Sequence, residues 1–185
     1  GLSSPEGDLA LLCAAVQEGG ALALGHFRQP LRHWEKAAGA GPVSEADLAV
    51  DALLHERLRS ARPGYGWLSE ETEDDPAQRT HDTVFVVDPI DGTRAFVGGR
   101  PGWCVAAAVV THGAVTAAAA YLPVTGELYA ASLGGGATLN GTPLEPSPRH
   151  EPVGSLVLTG ARQMAEEHWP GGAPMVERAF RPSLV

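Results

Sequence analysis

Long apolar runs are missing from this chain. Stretches such as Val105–Val110 fall far short of the roughly 20 residues that a membrane-spanning helix needs. Also missing is a basic segment followed by an apolar one near the start, so no secretory leader is expected. Basic residues are scarce: 13 Lys and Arg stand against 22 Asp and Glu, for a formal charge of −9. A surface of that sign repels a nucleic-acid backbone, which argues against non-specific binding to it. A small anionic substrate stays open, because a bound divalent cation reverses the local field. Cysteine is nearly absent. Cys13 and Cys104 each sit in an apolar run and read as free thiols of a reducing cytoplasm rather than as a disulfide. The common nucleophile and metalloprotease signatures are lacking too: no G-x-S-x-G, no H-E-x-x-H, no P-loop, and seven scattered histidines.

What is present is an ordinary globular composition, 44% hydrophobic over 185 residues, with abundant alanine and glycine for close packing. Asp8–Phe27 reads as an amphipathic helix with Asp8 as its N-cap, Leu9, Leu12, Cys13, Val16 and Leu24 largely on one face, and Gly19–Gly20 weakening its middle. A second helix opens at Ser44, with Asp47 three residues on as capping-box partner, and runs to about Arg59. Strands are expected at Gly66–Ser69, Val84–Val87, Trp103–Val110, Val115–Leu122 and Glu127–Ser132, with a short helix at Thr93–Val97. Asn140–Gly141 marks a hairpin turn, and Gly134–Gly136 reads as part of that hairpin rather than as a phosphate loop. Further on, a strand at Ser155–Thr159, a helix at Ala161–Trp169 and a strand at Val176–Phe180 are expected. Helices followed by a run of hairpins indicate an α+β fold, a layered α/β sandwich in which two N-terminal helices pack on a largely antiparallel sheet. The expected organisation is an N-terminal α+β domain over residues 1–152 and the start of an incomplete C-terminal α/β subdomain over 153–185.

The segment Val84-Phe-Val-Val-Asp-Pro-Ile-Asp-Gly-Thr93 carries the strongest chemical signal. A β-branched strand runs into Asp88 and Asp91, with rigid Pro89 between them, so both carboxylates can converge beyond the strand end. Pro89 also lets the Ile90 carbonyl point the same way. Hard divalent cations prefer such carboxylate and carbonyl oxygens, without sulfur or imidazole. Gly92 and Thr93 offer backbone N–H groups at a helix start, where an anion is favoured. Alone, an Asp-Pro-x-Asp-Gly stretch is also simply a turn. Ser69-Glu70-Glu71 follows the preceding strand, and consecutive strands tend to be neighbours, which would bring Glu70 to Asp88. Glu73, Asp74 and Asp75 read as a solvated acidic loop.

Ser69-Glu-Glu, followed by Asp88-Pro-Ile-Asp-Gly-Thr-Arg-Ala-Phe96, resembles the inositol monophosphatase superfamily. That superfamily includes inositol monophosphatases, 3′(2′),5′-bisphosphate nucleotidases and histidinol-phosphate phosphatases. Pro42-Val-Ser-Glu-Ala-Asp47 is similar to its upstream motif, and Gly134-Gly-Gly-Ala-Thr-Leu-Asn-Gly141 to its later hairpin, so the likeness covers nearly the whole chain. The resemblance implies a phosphoric monoester hydrolase that uses two or three magnesium ions, with manganese as a substitute. Glu70, Asp88 and the Ile90 carbonyl would hold the first metal, and Asp88 and Asp91 the second. Thr93, bonded to Asp47, would orient the attacking water, and the Gly92 and Thr93 amides would grip the phosphate. Lys36 falls where relatives often carry a basic residue. Direct hydrolysis without a phosphoenzyme, a homodimer and lithium sensitivity belong to the same expectation, with a small phosphorylated metabolite as partner and neither nucleic acid nor membrane; a cytoplasmic location is expected from the missing leader and the two unpaired cysteines.

Two departures stand out. Ala95 occupies a position where many relatives have Asn, and no Trp-Asp pair, the family's downstream metal motif, occurs in the chain. The substrate is left between an inositol-phosphate type and 3′-phosphoadenosine 5′-phosphate. A non-catalytic homologue that binds metal or anion, and an oxygen-ligand calcium module, remain as readings of another class.

Overall fold

The computed structural model describes residues 4–35, 42–72, 75–146 and 148. Lys36, Glu73, Asp74 and the strand–helix–strand expected after residue 152 lie outside them. Residue contacts gather Gly1–Leu144 into one compact unit, and this unit carries every element named below.

Helix α1 spans Pro5–His26. It starts earlier than the sequence suggests, because Ser4 rather than Asp8 caps it: the Gly7 N–H donates to Ser4 Oγ at 3.1 Å, and Pro5 needs no donor partner at the first position. Asp8 is instead buried, accepting from Arg62 Nε at 2.9 Å and from the Tyr65 hydroxyl at 2.8 Å. By length and mean hydropathy (1.3) α1 would pass for a membrane span. Its Leu12, Ala15, Val16 and Ala23 are nonetheless buried in the protein core, while Leu24 is exposed rather than on the buried face. The two mid-helix glycines have a packing reason. A Cβ at Gly20 would stand 2.5 Å from the Tyr121 ring, and one at Gly19 3.2 Å from Val50. Glycine here lets α1 lie close upon its neighbours, which outweighs its poor helix propensity.

The short strands β1 (His33–Glu35) and β2 (Pro42–Ser44) pair antiparallel and lead into α2 (Glu45–Ala61). Ser44 caps α2 as expected, and Val50, Leu54 and Leu58 are buried. Seven strands then form one sheet in chain order: β3 (Gly66–Ser69), β4 (Thr83–Asp91), β5 (Cys104–Thr111), β6 (Ala114–Leu122), β7 (Glu127–Ser132), β8 (Gly136–Leu139) and β9 (Thr142–Pro143). Only β3 and β4 run parallel, joined by a crossover that contains a 3-10 turn at Pro76–Thr80. Every other neighbouring pair is antiparallel. Helix α3 (Thr93–Val97) lies between β4 and β5.

Period-two alternation decides the faces. Phe85 and Val87 of β4, Val105, Ala107 and Val109 of β5, and Ala117 and Ala119 of β6 are buried in the cluster that includes α1 and α2, whereas Val86 is exposed. Alanines in β5 and β6 shorten the distance at which α1 can pack. Phe27, Phe96 and Trp103 form an aromatic knot beneath α3, with ring centroids 4.8–5.6 Å apart. Asn140 and Gly141 both have positive φ, 49° and 80°, and link β8 to β9 in the twist that a two-residue hairpin requires. Gly134–Gly136 turns β7 into β8, a hairpin bend as expected. The architecture is mixed α+β, with two N-terminal helices on a seven-stranded, largely antiparallel sheet.

Candidate metal and phosphate site

The parallel pairing of β3 with β4 carries the arrangement. Ser69 lies beside Val87, and the Glu70 N–H donates to the Val87 carbonyl at 3.3 Å, so Glu70 and Asp88 leave adjacent strand ends together. Antiparallel pairing would have put these residues at opposite ends of the sheet. Farther along β4 the register with β5 shifts: Asp88 faces Ala106 but Asp91 faces Cys104, three residues against two. This bulge, with Pro89 and Ile90 buried inside it, turns the chain and brings a second carboxylate back to the same region.

Electrostatics records the crowding. Burial, then the charges of Glu70 and Asp91, a hydrogen bond with Glu70 and the charge of Asp47 push the Asp88 carboxyl up from 3.8 to about 7. The Cys104 thiol, 3.8 Å from Asp91 Oδ2, is pushed up to about 12 by burial and then by Asp91 and Asp88.

Gly92 makes the next turn with φ +90°, a conformation suited to glycine, and a Cβ there would stand 2.7 Å from the Gly102 carbonyl oxygen. Thr93 then opens α3 with its Oγ1 3.1 Å from Asp47 Oδ1 and 2.9 Å from the Ile90 carbonyl. Asp47 is 1% exposed. Its Oδ2 accepts the Ser44 N–H at 2.9 Å and the Ser44 hydroxyl at 2.5 Å. One carboxylate therefore both caps α2 and reaches across to the loop after β4. Burial raises the Asp47 pKa against the lowering effect of its Ser44 and Thr93 hydrogen bonds. With its proton directed at Asp47, the Thr93 hydroxyl presents lone pairs that can accept from a water or a substrate.

Glu70, Asp88, Asp91, the Ile90 carbonyl, Thr93 and Asp47 are thus collected around the ends of β3 and β4, with Gly92 between Asp91 and Thr93. Ala95, the departure from the usual Asn, lies within α3 and is fully buried. Two neighbours escaped the sequence reading. Cys104 reads from the sequence only as a buried thiol, and the cross-strand partner of Asp91 depends on the bulge, which no spacing announces. Asp51, one helical turn after Asp47 on α2, is hydrogen-bonded to Ser69 and Thr72 on either side of Glu70.

The donor set suits a hard divalent cation: carboxylates and a carbonyl, with no imidazole. A cation would offset the burial and the repulsion that together raise Asp88. With the Thr93 proton on the Asp47 side, the lone pairs of the Ile90 oxygen are open to a cation. Among the described residues no three acidic, histidine or cysteine side chains are already closed into a ligand set, so a cation would draw the carboxylates inward.

The model of the Inositol monophosphatase family matches residues 5–180. An inositol-1-monophosphatase of Rhizobium meliloti is 38% identical over 122 residues, 64% of this chain and 44% of the relative. A histidinol-phosphatase of Chlorobaculum parvum is 34% identical over 152 residues, 82% of this chain and 58% of the relative. Among solved structures, the extragenic suppressor protein suhB from Bartonella henselae superposes with a TM-score of 0.77 at 29% identity, over 83% of this chain and 60% of that one. A staphylococcal inositol monophosphatase-1 in a lithium chloride-soaked inhibitory complex shares the fold, with a TM-score of 0.74 at 20% identity over 82% of this chain and 57% of that one. The chain spans about half the length of the curated relatives it matches. A match that runs from α1 past the last described strand, joined to relatives above 30% identity, makes this chain a member of the inositol monophosphatase family.

Proposed function

We propose that this chain carries the N-terminal part of the active site of a magnesium-dependent phosphatase acting on a small phosphate monoester. The observation that supports this most is the parallel β3–β4 register, which sets Glu70 beside Asp88 while the bulge returns Asp91 to the same place. Glu70, Asp88, Asp91 and the Ile90 carbonyl would hold magnesium, with manganese as a substitute. When bound, the ion supplies Lewis acidity toward the phosphate and toward water. The Gly92 and Thr93 amide N–H groups, at the start of α3, would donate to the phosphate oxygens. Thr93, its hydroxyl aligned by Asp47, would orient the water that attacks phosphorus, accepting the water's proton as its own passes to Asp47. Asp47 is suited to this because burial raises its proton affinity while Ser44 fixes its other oxygen. No side-chain nucleophile is required, so the product would be released without a phosphoenzyme.

Inositol 1-phosphate is the substrate proposed first, after the relative from Rhizobium meliloti. Histidinol phosphate is a second reading, favoured by the Chlorobaculum parvum relative, which aligns with more of this chain. A cytoplasmic homodimer is proposed with the same activity. Inorganic phosphate release tests the reading on inositol 1-phosphate, histidinol phosphate and 3′-phosphoadenosine 5′-phosphate, with and without magnesium. A magnesium-dependent preference is expected, and Asp91→Asn should lower it by about a hundredfold or more with the circular dichroism spectrum unchanged. Activity retained by Asp91→Asn would remove that residue from the mechanism. Silence on all three esters, from a folded protein that binds magnesium, would favour a non-catalytic homologue.

A further inference from the structure

Asp51 follows Asp47 by one helical turn on α2, so the two residues share one face with Cβ atoms about 6 Å apart. Asp47 reaches the β4 side of the site through Thr93. Asp51 reaches the β3 side. Its Oδ1 accepts the Ser69 hydroxyl at 2.5 Å and its Oδ2 the Thr72 hydroxyl at 3.2 Å. Those hydroxyls flank Glu70, one residue before it and two after. The pinned turn is braced further: the Glu71 N–H donates to Ser69 Oγ at 3.2 Å, and the Trp67 indole N–H to Thr72 Oγ1 at 3.4 Å.

We propose that Asp51 is the positioning residue for Glu70, and that α2 sets the separation between the two acidic strand ends through Asp47 and Asp51. The inference rests on the metal-site reading above. Its physical basis is geometric: hydroxyls on both sides of Glu70 are tied to one carboxylate of α2, which fixes the turn that carries Glu70 relative to that helix. A carboxylate accepting from two hydroxyls grips more strongly than a neutral acceptor. Groups that orient a ligand in this way typically contribute 10- to 100-fold to metal affinity. Asp51 itself touches neither metal nor substrate.

The test is magnesium affinity of the full chain without substrate, measured by isothermal titration for wild type, Asp51→Ala, Asp51→Asn and Glu70→Gln. Asp51→Ala should bind about tenfold more weakly. Asp51→Asn, which keeps one acceptor and can accommodate the second hydroxyl, should recover most of that loss. Ser69→Ala should weaken binding in the wild type but add little in the Asp51→Ala background, because both remove one interaction. Where Asp51→Ala does not fold, Ser69→Ala and Thr72→Val carry the same test from the loop side. Wild-type affinity in Asp51→Ala, alongside weakened binding in Glu70→Gln, would overturn the positioning role alone. Wild-type affinity in Glu70→Gln would overturn the metal-site reading beneath it.

Discussion

Replacing Asp88 by Asn should make the metal-free protein more stable while weakening its hold on magnesium. In the folded chain the Asp88 carboxyl is raised from 3.8 to about 7, chiefly by burial and then by Glu70 and Asp91. At 1.36 kcal/mol per decade of proton affinity that corresponds to about 4 kcal/mol. Water reaching the half-buried group screens roughly half, leaving about 2 kcal/mol. The sign follows from the direction of the shift. Below pH 4 the group is neutral folded or unfolded and costs nothing. Between about 4 and 7 the unfolded chain has lost the proton that the folded one keeps, so stability falls as pH rises. Above 7 the full cost is present. Urea unfolding in chelator, followed by fluorescence of buried Trp67 and Trp103, should show Asp88→Asn about 2 kcal/mol more stable than wild type at pH 8 and nearly equal at pH 4. Magnesium should reverse the order, since an ion at one hundred times its dissociation constant adds about 2.7 kcal/mol to the protein that binds it. An Asp88→Asn protein less stable than wild type at pH 8, or a difference independent of pH, would refute the account of Asp88 as a carboxylate held in place against its neighbours.

Gly92→Ala should cost at least about 2 kcal/mol, because φ is +90° and the new Cβ would meet the Gly102 carbonyl; urea unfolding checks it, and a cost near zero would mean that the turn relaxes freely. In chelator at pH 8, Cys104 should react with iodoacetamide on the order of a thousandfold more slowly than in urea, since its thiol is pushed up to about 12. Mass spectrometry of the modified peptide reads that ratio. Asp91→Asn should speed the reaction by removing a charge that opposes the thiolate, and equal rates in the folded and unfolded chain would contradict the burial of the thiol.

How far the fold was legible in the sequence depended on whether each signal was local. Glu127–Ser132, Thr93–Val97 and the Asn140–Gly141 turn match their expected bounds, because alternation, a glycine before a helix start and two left-handed positions are all written in adjacent residues. The start of α1 was misplaced because a Ser-Pro pair is the better cap, which freed Asp8 for Arg62 and Tyr65, partners more than 50 residues away. Gly19 and Gly20 looked like weaknesses in a helix; only the approach of Tyr121 and Val50 explains them. The same division runs through the site. Asp88, Asp91 and Thr93 fall within six consecutive residues of one motif and could be read directly. Glu70 joined them through the likelihood that consecutive strands are neighbours, and it was the parallel pairing that made the inference geometrically sound. Asp51 and Cys104 were out of reach for a different reason: each matters only through a residue on another element.

Helix α2 is where the local and the long-range signals meet. Asp47 was legible twice over, as a capping-box residue and as part of a motif similar to the family's. The structure joins the two roles in one carboxylate, with Ser44 on one oxygen and Thr93 on the other. Moving Asp47 for the sake of catalysis would therefore unsettle the start of α2, and moving α2 would shift Thr93. Asp51 extends the coupling to the other strand end through Ser69. Both acidic strand ends are thus referred to one helix whose inner residues Val50, Leu54 and Leu58 are wholly buried. A cavity made far from the carboxylates, as in Leu54→Ala, should accordingly do more than cost the 2–5 kcal/mol of a lost core side chain. It should also weaken magnesium binding at a temperature where the variant is still folded, because the spacing between Asp47 and Asp51 is only as firm as the packing of the helix that carries them. Titration of that variant with magnesium, beside Leu12→Ala as a cavity of the same chemistry in α1, separates the two effects. Equal affinities in both variants would show that stability, not the placement of α2, governs the site.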